Sequence, residues 1–201
     1  MKKLALLVVF LGFLAPACTD ECGDIKKYYA TIKNITATAV NLTTTNLNPY
    51  NSSEDTLFYR DAGFLLYIEQ ETFSRAALLG FPGFHQTAWA CSPLDPIPVE
   101  LITNLEITAA ENFSYNTLSF QQGDDISGLF KVLPQANNEQ SVMQFVASNF
   151  LNVYSDNPFF ILTLNQAPNG PSKLLFNAKV TLSDERTFLL ESLDIRVKPS
   201  V

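Results

Sequence analysis

The sequence predicts a mainly β protein, an antiparallel β-sandwich of immunoglobulin-like or related type with one short α-helix. Three observations lead there. Runs rich in Val, Ile, Thr, Tyr and Phe recur along the chain, and such residues fit a pleated, half-buried surface. Several of these runs alternate apolar and polar residues, the mark of a strand with one wet face. Turn-forming clusters separate them, and a single stretch follows helical spacing.

Met1-Lys2-Lys3 is a short positive region, and Leu4 to Leu14 carries no charge. That apolar run of 11 residues spans about 17 Å as a helix, well short of a roughly 30 Å hydrocarbon core. Ala15-Pro16-Ala17 follows as a small-residue cleavage site, so residues 1–17 read as an export signal. Cys18 stands directly after it. This is similar to the bacterial lipoprotein signal, in which that cysteine takes the lipid and becomes the new N-terminus. Ala15 stands at −3, where the pattern usually has Leu. Residues 18–24 read as a tether and 25–201 as one domain, with no internal repeat or linker inside it. The acidic pair Asp20-Glu21 is similar to the surface-export signal of Bacteroidetes-type lipoproteins. The expected place is therefore the cell envelope, anchored by lipid in the outer membrane, with exposure at the cell surface as one outcome and a periplasmic tether as the other.

Cysteine counting agrees. The three cysteines are Cys18, Cys22 and Cys91. If Cys18 carries lipid, Cys22 and Cys91 are left as a disulfide candidate in an oxidising compartment. A bridge would close a 70-residue loop (91 − 22 + 1), worth about 4 kcal/mol in the chain-entropy picture. The alternative is that Cys91 is a small buried residue.

Taken in order, Tyr28 to Val40 reads as a strand whose alternation changes phase near Asn34, the sign of a bulge. Thr43 to Asp55 is rich in Asn, Ser and Thr and reads as a loop. Phe64 to Phe73 places Phe64, Leu66 and Ile68 on one face and Tyr67, Glu69 and Glu71 on the other. Phe84 to Cys91 reads as a further strand. In Val99 to Ile107, Val99, Leu101, Leu105 and Ile107 are expected inward, and Glu100, Asn104 and Glu106 outward. Asn137 to Leu151 has the helical pattern, with Val142, Phe145, Val146, Asn149, Phe150 and Val153 on one stripe and Asn137 and Gln140 as the capping pair. Phe159 to Asn165 is a strand. A long hairpin closes the chain, Lys173 to Leu182 and Thr187 to Val197, joined by Ser183-Asp184-Glu185-Arg186. Its first strand buries Leu174, Phe176, Ala178, Val180 and Leu182. Its second is expected to answer with Leu189, Leu193, Ile195 and Val197, interrupted by Glu191.

Function is bounded more than identified. Removing residues 1–17 takes Lys2 and Lys3 and no acid, so net charge falls from −7 to −9. An acidic chain whose longest basic feature is Lys26-Lys27 argues against nucleic acid and anionic lipid as partners. The P-loop, dinucleotide-binding, nucleophile-elbow, zincin and C-x-x-C motifs are missing. His85 is the single histidine. One histidine is too little for a zinc site, and a strand-surface residue is its simpler reading. Glu69 with Glu71 and Asp124 with Asp125 are the acid pairs. The first lies on one strand face, unlike a glycosidase cleft, and the second sits in a turn without the spacing of a calcium loop. No catalytic, cofactor-binding or metal-binding residue is predicted. Trp89, near Cys91, reads as a packing residue.

Four stretches, Trp89-Ala90-Cys91-Ser92-Pro93, Ile102 to Thr108, Asp125 to Val132 and Val180 to Asp184, resemble an uncharacterised Bacteroidetes-type lipoprotein family, a domain of unknown function. The resemblance covers most of the mature chain and implies no activity and no catalytic residues. Glu185 stands where such hairpins often have Gly. The reading is a membrane-anchored binding or accessory module, in contact with the lipid bilayer through its anchor and with a protein or glycan ligand left open. The alternative is a cell-envelope hydrolase acting on glycan or peptide through Asp and Glu.

Overall fold

The computed structural model describes residues 28–43, 47–51, 55–74, 97–134, 139–148 and 158–199. These form two main sheets and a small hairpin. The strands are β1 (Tyr28–Asn41), β2 (Asn48–Pro49), β3 (Leu57–Phe58), β4 (Ala62–Ser74), β5 (Ile97–Pro98), β6 (Ile102–Ala109), β7 (Phe113–Tyr115), β8 (Leu118–Phe120), β9 (Phe130–Pro134), β10 (Gln140–Ser141), β11 (Phe159–Leu164), β12 (Ser172–Leu182) and β13 (Thr187–Lys198). One helix, α1 (Val142–Ala147), lies among the described residues.

The larger sheet has the order β10-β9-β11-β4-β1-β2, and the smaller has β3-β13-β12-β6. Nearly all pairings are antiparallel; β5 on β1 and β3 on β13 are parallel. The two short strands β2 and β5 share the outer edge of β1, β2 at Val40 and Asn41 and β5 at Tyr29 and Ala30. The sheets face one another across a single apolar core, consistent with a β-sandwich. This strand order does not single out the immunoglobulin-like variant. Phe176 of β12 joins the layers: its ring lies 5.3 Å edge-on from Phe64 of β4 and 4.7 Å from Phe130 of β9.

Most strand faces follow their alternation. Phe64, Leu66 and Ile68 are buried on β4, and Leu174, Phe176, Ala178, Val180 and Leu182 are buried on β12. The phase change in β1 is a bulge: Ile32 pairs with Gln70 and Asn34 with Glu69, leaving Lys33 extra. Ile32 and Ile35 therefore both reach the core.

Three expectations need correction, two of them because of bulges. In β6, Leu182 pairs with Ile102 and Thr181 with Asn104, so Thr103 is the extra residue. Inward parity thus changes there. Val99, expected inward, is 46% exposed, while Glu100, expected outward, is 6% exposed. In β13 the register shifts between Phe176 and Ala178, opposite Glu191 and Ser192. Ser192 takes φ 57 and its N–H donates to Asn177 Oδ1 at 2.9 Å. Leu189 is consequently 56% exposed, and Phe188 and Leu190 pack on the core in its place.

The helix is shorter than its pattern. Gln140, expected in the cap, pairs with Val132 as part of β10. The cap is Ser141: its hydroxyl accepts from Gln144 N at 3.2 Å, and Gln144 Oε1 accepts from Ser141 N at 3.1 Å. Asn137, Asn149, Phe150 and Val153 lie outside the described residues, as do the expected strand Phe84–Cys91 and Trp89. The expected loop 43–55 contains β2.

Candidate functional site: a polar cleft at the far end

β1 enters the fold at Tyr28, and the end of the molecule with Tyr28, Ser74, Ile97 and the β12–β13 turn is the entry end. The far end carries the last residues of β1, the start of β4 and the ends of β6 and β11. There β9 turns Phe130 and Val132 into the core and Lys131 and Leu133 away from it. Two adjoining depressions, of about 440 and 430 Å³, meet at Lys131, Glu139 and Asn165. One continues over Ser127, Ser141 and Met143, the other over Tyr59, Arg60 and Thr163.

Lys131 Nζ lies 2.7 Å from Glu139 Oε1 and divides the two. Arg60 Nε donates to the Tyr59 hydroxyl at 2.9 Å. Thr163 is 2% exposed and its hydroxyl has no hydrogen-bond partner, and the side-chain oxygen of Gln140 is likewise buried without one. Two orphaned polar atoms beside a cleft are unusual, since buried polar groups are nearly always paired. With Arg60, Lys131 and Asn165 nearby, the lining offers donors and acceptors to a hydroxylated or amide-bearing ligand. It carries two carboxylates, Glu139, held by Lys131, and Asp125, whose Oδ1 accepts from Ser127 N.

At the entry end a second polar cluster joins the sheets. Glu100 Oε1 accepts from Thr31 Oγ1 at 2.6 Å and from Arg186 Nη2 at 2.7 Å, and Oε2 accepts from Ile32 N at 3.2 Å. Arg186 also donates through Nη1 to Ile32 O at 2.7 Å and through Nε to Asp184 Oδ2 at 2.6 Å. The hydrogen bond from Arg186 holds the Asp184 carboxyl below its ordinary pKa. The sequence reading missed this clamp.

Of the acids singled out from the sequence, Asp125 lines the cleft, and three of the four have structural work. Glu69 pairs with Lys33 at 3.2 Å on the outer face of β4, and Glu71 is exposed. Asp124 Oδ2 accepts from Gln121 N at 2.7 Å, and Asp125 Oδ1 accepts from Ser127 N at 2.9 Å, so both build the turn in which Gly123 takes φ 90. Among the described residues no group of three or more His, Cys, Asp and Glu side chains could hold a metal, and no helix is long and apolar enough to cross a membrane. Cys18, Cys22, Cys91 and His85 lie outside the described residues.

Comparison with family models, curated proteins and solved structures finds no match.

Proposed function

We propose that this protein is a lipid-anchored cell-envelope module of the outer membrane that acts by binding. The observation that carries the reading is Cys18, placed directly after Ala15-Pro16-Ala17 and an uncharged run too short to span a bilayer. The fold supports it: the polar cleft lies at the end opposite to the one where the tether joins β1. An anchor at one end and a ligand-sized cleft at the other is a layout for capture.

Expression with radiolabelled palmitate tests the anchor. The wild-type chain takes up label and remains with the membrane fraction, whereas Cys18→Ala takes up none and is released. Equal labelling of the two overturns the reading. Turnover of cell-wall glycan or peptide, lost in Glu139→Gln, would replace binding by hydrolysis.

A further inference from the structure

We infer that the outer face of the larger sheet, at its entry end, rests on the lipid bilayer. This rests on the anchor at Cys18. Three strands place a row of apolar side chains side by side there: Tyr29 of β1 pairs with Phe73 of β4 on one side and with Ile97 of β5 on the other. Paired residues of neighbouring strands share a face. The rings of Tyr29 and Phe73 stack at 5.8 Å and 26°. Phe73 is 39% exposed and Ile97 41%, and Val99, two residues beyond Ile97, is exposed too. Three of the eight large apolar side chains exposed among the described residues thus gather at one end of one face, around the half-buried ring of Tyr29. A cluster of that kind marks a contact surface, whereas singly scattered ones carry no meaning.

The occupant follows from where the chain leads. Only ten residues separate Cys18 from Tyr28 (28 − 18), a reach of at most about 33–36 Å when fully extended. A lipid on Cys18 therefore holds this end, and not the cleft end, beside the membrane. Tyr favours the bilayer interface, where its ring is buried and its hydroxyl stays wet, and Phe is common on the apolar face of membrane-surface contacts. Tethering raises the local concentration of bilayer, so a small patch suffices.

The test uses the full, lipidated chain in phosphatidylcholine vesicles with brominated acyl chains. In a Trp89→Phe background, Phe73→Trp loses most of its fluorescence to bromine quenching, while Leu118→Trp, exposed at the far end, keeps its own. Equal quenching of both, or of neither, overturns the contact. Backbone-amide hydrogen exchange of the unsubstituted chain guards against a misfolded probe. Peptides covering Tyr28–Thr31 and Ile97–Val99 exchange more slowly in the vesicle-bound wild type than in free Cys18→Ala. Equal protection means that another part of the chain or a second copy covers the patch, and the contact falls. Absence of palmitate label refutes the anchor itself; a labelled chain without quenching at position 73 refutes only the bilayer contact.

Discussion

At the entry end, charge ties the two sheets together: Arg186, in the turn of the closing hairpin, reaches the backbone of Ile32 in β1 and the buried carboxylate of Glu100. At the far end the corresponding ties are neutral. The Tyr115 hydroxyl donates to Gln166 O at 2.5 Å, Asn116 Nδ2 donates to Ala167 O at 3.2 Å, and Asn169 N donates to Asn116 Oδ1 at 2.6 Å. These join the β7–β8 hairpin to the segment that leaves β11. The difference teaches how each end answers pH. Asp184 has a lowered pKa because of Arg186, so its contribution is present at neutral pH and is lost as pH falls through that lowered value. Burial pushes Tyr115 up to about 12. Its contribution is whole below the ordinary tyrosine value of about 10 and is lost as pH rises from there toward 12. Acid therefore weakens the Asp184–Arg186 contact at the entry end, and alkali the Tyr115 contact at the far end.

The largest effect tests what the two ends share. Phe176 touches both Phe64 and Phe130 in the common core. Phe176→Ala costs about 3–5 kcal/mol in urea unfolding of the mature chain, and the loss appears at both ends together. Lys179→Ala, on the opposite face and paired at the surface with Glu106, costs within about 0.5 kcal/mol. If the two variants cost the same, the face assignment of β12 is wrong.

Next comes the entry end. Arg186→Ala leaves Glu100 buried with Thr31 and Ile32 as its remaining partners, a loss of about 1–3 kcal/mol. Denaturant melts across acid pH show a shallower acid limb for this variant than for wild type. Tyr115→Phe, at the far end, removes one hydrogen bond for about 0.5–1.5 kcal/mol. Its melts flatten the alkaline limb between pH about 10 and 12 and leave the acid limb alone. Were Tyr115→Phe to alter the acid limb, the division between the ends would be lost. Tyr50, raised to about 12 by burial and by Asp194, keeps part of the alkaline limb in that variant.

The smallest effect has the opposite sign. Glu185 takes φ 69 in the entry-end turn, a left-handed conformation that costs a non-glycine residue about 1–2 kcal/mol. Glu185→Gly recovers part of this and raises stability by up to about 1 kcal/mol, after the entropy glycine loses on folding. A drop in thermal midpoint would mean that the Glu185 side chain holds the turn in some other way.

What could be read from the sequence follows from physics. β12 alternates from Leu174 to Leu182, so its buried face was plain. The bulge in β1 announced itself because Ile32 and Ile35, three apart, must both reach the core. Thr103 in β6 and the Asn177–Ser192 irregularity gave no such sign. Apolar residues stand on both sides of each, so either parity looks acceptable, and Val99 and Leu189 were placed on the wrong face. The capping signature occurs twice with the same spacing, Asn137 with Gln140 and Ser141 with Gln144. The second cap adjoins the apolar run, and Gln140 is already taken by β10. Glu100 and Arg186 meet across 86 residues, and the cleft draws on the β3–β4 turn, β9, β10 and β11. Neither site has a local pattern to find.

The central claim is that the entry end is the membrane end. Intact mass spectrometry of the protein extracted from cell membranes tests it most directly. The account predicts a chain that begins at Cys18 and carries the added mass of acyl chains on that residue. A mature chain beginning elsewhere, or an unmodified Cys18, contradicts it.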